Sequence, residues 1–575
     1  MRVKILFNII LAAFVMLIGG LFWMQIIRGG YYYNLSQNNR IRLVSLEATR
    51  GNIIDVKGKP IADSVVSYNL VVRPSELRNK KEKLRVLSNL SLALGVSVNS
   101  LEAAYKKNYI GPFTDVVIAK NISRDMAFKL EQMNLDLPQI AVRAKPQRRY
   151  IYKEATASIL GYLGEIDREQ LTLLKDYGYR RQDIIGKTGL EKSLDMVLRG
   201  EDGGMQIEVN NRGYQVGVLS NQSPNAGEDV RLTIDVDIQD LAYKLLNGRK
   251  GAVVVLNPND GRVIAMVSSP SFDPHIFNTK EGIETVRSLL SDESMPFLNR
   301  AIQSQYPPGS IFKIVTSAAG LESKKITAET EFNCPGFYSL GGRRFNCAEA
   351  EGHGNLNIKD ALKHSCNVFF FNLSLRVRQE LLTVYSYMFG LGRTTGIDLA
   401  GEADGFVPDK NWKRRILNEN WYEGDTLNFS IGQGYVLVTP LQAVVMVSAV
   451  ANNGKIVKPY IIESIGAKKI GNTRLRNIQI SQKTLDIIRD GLKRAVESQG
   501  GTGVLARVDG ISVSGKTGTA QVRGQTSHAW FVGYAPSENP KAAIVVFLEN
   551  GGYGGETSAP VASEIFKKMK LMGML

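Results

Sequence analysis

From Ile5 to Ile27 the chain runs without a formal charge, its apolar character broken only by Asn8, Gln25 and the Gly19-Gly20 pair. As an α-helix such a run reaches about 35 Å, enough to cross the hydrocarbon layer of a bilayer with some tilt. A helix apolar on every face has no side to turn to water, so a soluble core is a poor home for it. A cleaved export signal has a shorter apolar region ending in small residues, whereas this run ends in Trp23-Met24-Gln25-Ile26-Ile27-Arg28. The expectation is an uncleaved membrane anchor at 5–27 behind a short tail at 1–4, with Trp23 suited to the interface. No later apolar run reaches spanning length, which puts the rest of the chain on one side of the membrane. Charges flank the span on both sides, Arg2 and Lys4 before it and Arg28, Arg40 and Arg42 after it. Orientation therefore has to come from chemistry, since long domains cross largely regardless of charge.

Composition constrains the chain beyond the anchor. With 44% hydrophobic and 22% charged residues it has the make-up of an ordinary globular protein, which excludes a disordered, collagen-like or polytopic one. Lys and Arg number 71 against 55 Asp and Glu, so 71 − 55 = +16 suits anionic partners without choosing among them. Up to about residue 230 the chain is polar and rich in charged pairs. Beyond Ala226-Gly227-Glu228-Asp229 the texture changes. Gly251-Ala-Val-Val-Val-Leu256 and Arg262-Val-Ile-Ala-Met-Val267 flank the turn Asn257-Pro258-Asn259-Asp260-Gly261, a strand-turn-strand pattern. Two more strand-like runs, Ala529–Tyr534 and Ala542–Leu548, come near the end, before a helical pattern around Ala562 to Lys570. Strands at both ends with helices between them predict an α+β domain over 231–575, its sheet pairing early strands with late ones. Residues 28–230 form a separate domain in this reading.

Tyr306-Pro307-Pro308-Gly309 breaks any preceding helix, and Ser310-Ile-Phe-Lys313 opens a largely apolar helical run. Free backbone N–H groups and the positive helix end there favour negative charge on the Ser310 oxygen. Lys313, three residues on, projects from the same face within reach of the hydroxyl. Burial would strip its proton and leave a neutral amine able to take the serine proton. Ser-x-x-Lys recurs by chance in chains of this size, so company is required. His364-Ser365-Cys366-Asn367 opens another apolar run, where Ser365 can relay a proton and Asn367 can hold the base or a substrate amide. Gly515-Lys516-Thr517-Gly518-Thr519 comes after the alternating Ile511-Ser-Val513-Ser, and a strand there presents a cation and two hydroxyls to a carboxylate. Gly515 and Gly518 are expected to let a ligand approach the backbone.

Two look-alikes need separating. Lys187-Thr188-Gly189 also reads Lys-Thr-Gly, but Leu190-Glu191-Lys192 continues it as a helix start and it precedes the serine, so it is structural. Gly510-Ile-Ser-Val-Ser-Gly515-Lys516-Thr517 fits the phosphate-loop pattern letter for letter. That loop must lie between a strand and a helix, whereas Ile511 and Val513 alternate as if inside a strand and no helical pattern comes after them.

The three cysteines cluster as Cys334-x12-Cys347-x5-His353-x12-Cys366. Three thiolates and one imidazole would fill a closed, tetrahedral structural zinc site, bracing the wall that carries Ser365 and Asn367. A Cys334 to Cys347 disulfide with Cys366 buried is the other arrangement, natural in an oxidising compartment. His275, His364 and His528 are read as packing or hydrogen-bonding residues.

Ser-x-x-Lys, Ser-x-Asn and Lys-Thr-Gly, in this order, resemble the signature of penicillin-binding proteins and serine β-lactamases. The chain looks like a class B penicillin-binding protein, a peptidoglycan DD-transpeptidase, over nearly its whole length. Arg50-Gly-Asn-Ile-Ile-Asp55 with Gly58-Lys-Pro-Ile-Ala62, Arg149-Tyr150, Gly161-Tyr162-Leu-Gly164 and Gly189-Leu190-Glu191 with Leu198-Arg-Gly200 are similar to the boxes of that family's non-catalytic pedestal. Asn299-Arg300-Ala301, Ile431-Gly-Gln-Gly-Tyr435 with Thr439-Pro440, and His528-Ala-Trp-Phe-Val-Gly533 resemble the elongation type rather than the division type.

The resemblance implies an α+β transpeptidase domain of the penicillin-binding protein and β-lactamase kind, behind an elongated mixed α/β pedestal. It implies Ser310 as nucleophile on the D-Ala-D-Ala carbonyl of a stem peptide and Lys313 as its base. Ser365 and Asn367 would shuttle protons and orient groups. Lys516, Thr517, Gly518 and Thr519 would bind the substrate carboxylate, and the Ser310 and Thr519 N–H groups would form the oxyanion hole. β-Lactams would acylate the same serine. Catalysis needs no cofactor. With no glycosyltransferase domain in front, glycan polymerisation falls to a SEDS-type membrane partner beside a rod-shape scaffold, and nucleic acid is no partner. The catalytic side must then face outward from the cytoplasmic membrane, with the N-terminus inside. Some Gram-negative elongation-type relatives carry zinc at the cysteine cluster with His, Cys and acidic ligands, and this chain departs by offering Cys in place of acids.

Two rivals share the motifs. A membrane-tethered β-lactamase or β-lactam sensor would need a group to activate water, and the acids after Asn367 include Glu402. Its setting in Gly396-Ile-Asp-Leu399 and Gly401-Glu402-Ala-Asp-Gly405 resembles a penicillin-binding protein segment instead. A catalytically silent scaffold for a polymerase would have no use for Ser310, Lys313, Asn367 and Lys516 together.

Overall fold

The computed structural model describes the whole chain except residues 78, 113, 182, 210–214, 279–281, 472–474 and 523. The apolar run is helical from Arg2 to Phe22 and continues through a wider turn, Trp23–Ile27. None of its residues is buried against protein, and it is long and apolar enough to cross a membrane.

The chain folds into two compact units, each assembled from separate stretches. The first comprises Met1–Gly51, Ser64–Arg149 and Arg199–Glu228. Helices Lys80–Leu94, Val98–Asn108 and Arg124–Met133 begin where Asn79, Ser97 and Ser123 side chains accept the N–H three residues on. Their apolar faces, with Leu87, Leu90, Leu101 and Leu130, pack on Leu70, Val72, Val116 and Ile118 from neighbouring strands. A separate antiparallel sheet sets Gly203–Val209 between Ile41–Leu46 and Gln215–Gln222.

The second unit comprises Asn52–Asp63, Tyr150–Leu198 and Asp229–Leu575. At its centre lies a five-stranded antiparallel sheet in the order Val263–Ser269, Gly251–Leu256, Ala542–Leu548, Gln525–Ala535, Ser514–Val522. Early strands thus pair with late ones as the sequence pattern implies, and the fold class is α+β. Every residue of Gly251–Leu256 and of Ala542–Leu548 is buried, so both faces of the sheet are covered. Alternation divides them: Val253, Val255 and Val546 meet helices Val236–Leu246 and Ala559–Leu571, while Val254, Leu256 and Val545 face the larger core. That core holds the helix Pro440–Ala451, all of whose residues are buried. Thr439 and Gln442 cap it reciprocally, and Pro440 sits where its missing N–H costs nothing. The same face carries helices Lys313–Glu322 and Asn367–Met388, which bring two of the three motifs against the edge strand that holds the third.

Candidate active site

Ser310 lies in a tight Gly309–Phe312 turn that leads into the Lys313–Glu322 helix. The turn is wedged between two backbones. Gly309 has φ +57° and donates its N–H to Gly432 O at 2.8 Å, and a Cβ on it would sit 2.8 Å from Thr519 O. Only glycine reaches this conformation and this closeness without strain. Below it, Thr316 Oγ1 donates to Ser430 O at 2.7 Å, which ties the helix to the segment before Ile431. The turn that carries Ser310 is thereby seated against the Thr519 backbone.

Lys313 is wholly buried. Its Nζ donates to Ser365 O at 2.6 Å, to Asn367 Oδ1 at 2.7 Å and to Ser365 Oγ at 3.2 Å. Among the described residues its hydrogen bonds go to these groups and not to the Ser310 hydroxyl, so the direct serine-lysine contact expected from the spacing is not made here. The reason is geometric: an ammonium has three protons to place, and Ser365 and Asn367 accept all of them. Burial pushes the Lys313 ammonium down to about 8, against the smaller opposite pull of the Cys366 and Cys347 sulfurs.

Ser365 and Asn367 can both face Lys313 because the chain turns sharply between helices Ile358–Lys363 and Asn367–Met388. Ser365 takes φ +54°, a left-handed conformation just past a helix end, and Cys366 caps the next helix by accepting Phe369 N–H at 3.4 Å. Asn367 Nδ2 donates to Asn346 O at 3.2 Å, the end of a hairpin made by Phe337–Leu340 and Arg343–Asn346.

Lys516 and Thr517 sit within the edge strand Ser514–Val522. Ile511 and Val513, expected inside that strand, precede it. Gly515-Lys516-Thr517 continues as strand and opens no helix, which removes the phosphate-loop reading. Lys516 is wholly buried and donates to Thr517 O at 3.0 Å, while Thr517 Oγ1 donates to Thr502 Oγ1 at 2.9 Å. Burial holds the Lys516 ammonium well below its ordinary range, and the charge of Lys313 adds to that. Packing requires both glycines. A Cβ on Gly515 would meet Phe531 Cζ at 2.5 Å, and one on Gly518 would meet Trp530 Cβ at 2.9 Å and Pro308 O at 3.0 Å. Gly518 thus seats the strand against the Ser310 turn, and Trp530 Nε1 clamps it by donating to Pro307 O at 3.0 Å.

Two supports escaped sequence reasoning. One is Thr502. The other is a buried network in which Arg300, wholly buried, pairs through Nε with Glu549 at 2.7 Å, and Glu549 also accepts the Tyr306 hydroxyl. It anchors the Tyr306-Pro-Pro-Gly309 entry to the turn. Glu402, the acid considered as an activator of water, accepts Thr395 N and Oγ1 and Gly396 N at 2.6–3.0 Å, so its own loop occupies it. Thr188 starts the Gly189–Ser193 helix, as expected of the structural Lys-Thr-Gly. His275 Nε2 accepts Tyr150 N–H at 3.0 Å and His528 Nδ1 accepts Asn550 N–H at 3.1 Å.

Cys334, Cys347, His353 and Cys366 come together with their ligand atoms all within 4.8 Å of one another, and no cysteine is disulfide-bonded. His353 Nδ1 is 3.6 Å from both Cys334 Sγ and Cys347 Sγ, and Cys347 Sγ is 3.9 Å from Cys366 Sγ. Tetrahedral zinc with ordinary bond lengths demands S···S of about 3.8 Å and S···N of about 3.6 Å. The donor set and spacing therefore fit a metal ion.

Comparison with known proteins gives two family matches along the chain. Residues 251–567 match the model of the penicillin binding protein transpeptidase domain, and 45–232 match that of the penicillin-binding protein dimerisation domain. The chain is similar to the peptidoglycan D,D-transpeptidase MrdA of Haemophilus influenzae, 32% identical over 573 residues covering 95% of this chain and 88% of that protein. It resembles a penicillin-binding protein (PBP2) solved in complex with MreC from Helicobacter pylori, with TM-score 0.83 and 28% identity over 93% of this chain and 99% of that one. It also resembles a chain in a peptidoglycan synthase complex that coordinates polymerisation and crosslinking, with TM-score 0.75 and 28% identity over 98% and 97% of the two chains.

Proposed function

Since this chain belongs to the class B penicillin-binding proteins and is a peptidoglycan D,D-transpeptidase that crosslinks the wall during cell elongation, we propose roles for its residues. Ser310 Oγ attacks the carbonyl carbon between the two terminal D-alanines of a donor stem peptide, while Lys313 Nζ takes the hydroxyl proton. The oxygen that becomes negative in the tetrahedral intermediate is received by the N–H groups of Ser310 and Thr519. When the C–N bond breaks, the departing D-alanine amine takes the proton back from Lys313 by way of Ser365. The acyl-enzyme ester is then attacked by the amine of a neighbouring stem peptide, whose proton returns to Ser310 by the same route. Asn367 orients Lys313 throughout. Lys516 with Thr517, Gly518 and Thr519 binds the donor's terminal carboxylate, and that carboxylate supplies the countercharge that buried Lys516 lacks.

One observation carries this assignment: Lys313, buried without a carboxylate partner, is held by Ser365 and Asn367 one turn from Ser310. Two separate motifs meet on one amine. The test is acylation of the purified chain by a fluorescent penicillin, tracked by intact mass over hours, beside Ser310→Ala. A stable adduct on the wild type alone is the expected result. Labelling that survives Ser310→Ala would move the nucleophile elsewhere, and rapid drug turnover would favour a β-lactamase.

The Cys334, Cys347, His353 and Cys366 site we assign to structural zinc, which when bound would fix the loop that presents Ser365 and Asn367. Residues 1–4 are the cytoplasmic tail, 5–27 the single span, 28–230 the non-catalytic pedestal and 231–575 the transpeptidase domain, facing out from the cytoplasmic membrane. Relatives solved with MreC, and in a complex joining polymerisation to crosslinking, support a rod-shape scaffold and a SEDS-type glycan polymerase as partners.

A further inference from the structure

Away from the nucleophile, a cavity of about 250 Å³ opens between the loop after the Asn367–Met388 helix and the strand Lys455–Val457. Arg393, Lys458 and Arg476 line it, and no Asp or Glu does. Each cation is held in place. The Arg393 guanidinium lies 5.3 Å from the Tyr387 ring, Arg476 Nη2 donates to Met388 O at 3.2 Å, and the Lys458 stem packs against Gly396, where a Cβ would sit 3.3 Å from its Cε. Among the described residues none of the three has a carboxylate within salt-bridge distance. Other cations of this unit do: Lys359 pairs with Asp490, Lys413 with Asp425 and Arg489 with Asp486.

Local features offset the charge only in part. The carbonyl end of the Asn367–Met388 helix contributes about half a negative charge, which accounts for the hold on Arg476 and little more. Of the acids in the Arg393 loop, Asp398 and Glu402 are hydrogen-bonded to neighbouring donors and, among the described residues, form no ion pair with the three cations. Asp398 accepts Ile461 and Ile462 N–H at 2.8–3.1 Å, and Glu402 is bonded to Thr395 and Gly396. Asp398 feels Lys458 only through space. Three like charges converging on one concavity repel one another unless an anion joins them. Val445 and Ile456 add apolar lining.

We propose that this cavity is a binding site for a small oxyanion-bearing ligand. The forked guanidinium groups of Arg393 and Arg476, with the Lys458 ammonium beside them, take its carboxylate or phosphate head, and Val445 and Ile456 carry its uncharged body. Two guanidiniums suit the planar, two-oxygen presentation that both head groups share. The cavity takes no part in the acyl-transfer chemistry and does not depend on the roles assigned above.

The test uses the full chain in detergent and isothermal titration calorimetry with two probes, sodium pyrophosphate and N-acetyl-Glu-Glu, at low and high salt. The expected result is saturable one-to-one binding of at least one probe, weakened at least tenfold in an Arg393→Gln, Lys458→Gln, Arg476→Gln variant and weakened by salt. Tighter binding of pyrophosphate names a phosphate source, and tighter binding of the dipeptide names an acidic peptide. Fluorescent-penicillin labelling of the variant should equal that of the wild type, which shows that it is folded. If the triple variant does not label, Arg476→Gln alone, at an exposed position, is read in the same way. Binding of neither probe to the wild type, or equal binding to a labelled variant, overturns the proposal.

Discussion

An ammonium buried without a carboxylate can lower its energy by surrendering its proton or by surrounding itself with acceptors, and Lys313 is placed to do both. Ser365 O, Ser365 Oγ and Asn367 Oδ1 hold the charged form, while desolvation brings its release down to about 8. A depressed lysine pKa means that the neutral amine, the form able to accept the Ser310 proton, is scarce below the pKa and dominant above it. Acylation by a fluorescent penicillin should rise about tenfold from pH 6 to 7 and level off above about 8, as one ionising base requires. A rate flat across pH 6 to 8 would remove Lys313 from that role. Lys313→Arg should abolish the reaction at every pH, because a guanidinium stays charged and cannot serve as base.

At the scale of the element, the loop from Cys334 to Cys366 is the clearest case of a short stretch whose shape depends on something that cannot be read from its hydrophobic pattern. Between Cys334 and Asn355 the only buried side chains are those of the two cysteines, and its hairpin ends on Asn346, which touches Asn367. Bound metal would substitute for the missing core. Cys347→Ser should cut zinc content from one per chain to far below one, lower the thermal midpoint, and slow acylation through the loosened Asn367. Elemental analysis beside a melting curve checks it, and full metal content in the variant would sink the ligand assignment. The Arg300 and Glu549 pair makes a second prediction. Glu549→Ala leaves a guanidinium buried and uncompensated, at a cost of about 3–5 kcal/mol, readable in denaturant unfolding.

Legibility divides along the same line. Ser310 with Lys313, Ser365 with Asn367, and Lys516 with Thr517 could be read from sequence because each motif packs its chemistry into a few adjacent residues. Arg300 and Glu549 lie 249 positions apart, and Thr502 meets Thr517 only once the strand is placed, so no local pattern announces either. The glycines of the Lys-Thr-Gly strand were legible as special, but their packing role was not, since Phe531, Trp530 and Pro308 reach them from distant segments.

Across the whole molecule, the apolar N-terminal helix and the second unit draw on different residues. The Arg2–Phe22 helix and the Trp23–Ile27 turn bury nothing against protein, whereas the second unit is built from Asn52–Asp63, Tyr150–Leu198 and Asp229–Leu575. Its discontinuity has a plain cause: Ile53 pairs in parallel with Val230, so a short early segment is stitched to the start of the large unit by backbone hydrogen bonds. Removing residues 1–27 therefore deletes no core side chain and breaks none of these pairings. The expected outcome is that a chain starting at 28 leaves the membrane fraction, stays soluble without detergent, and is acylated by penicillin within about twofold of the full chain, since no buried contact is lost. Acylation that fails in the shortened chain while it melts at the same temperature would mean that the anchor sets the geometry at Ser310. Failure with a lowered melting point would instead mean that the helix contributes to folding despite burying nothing.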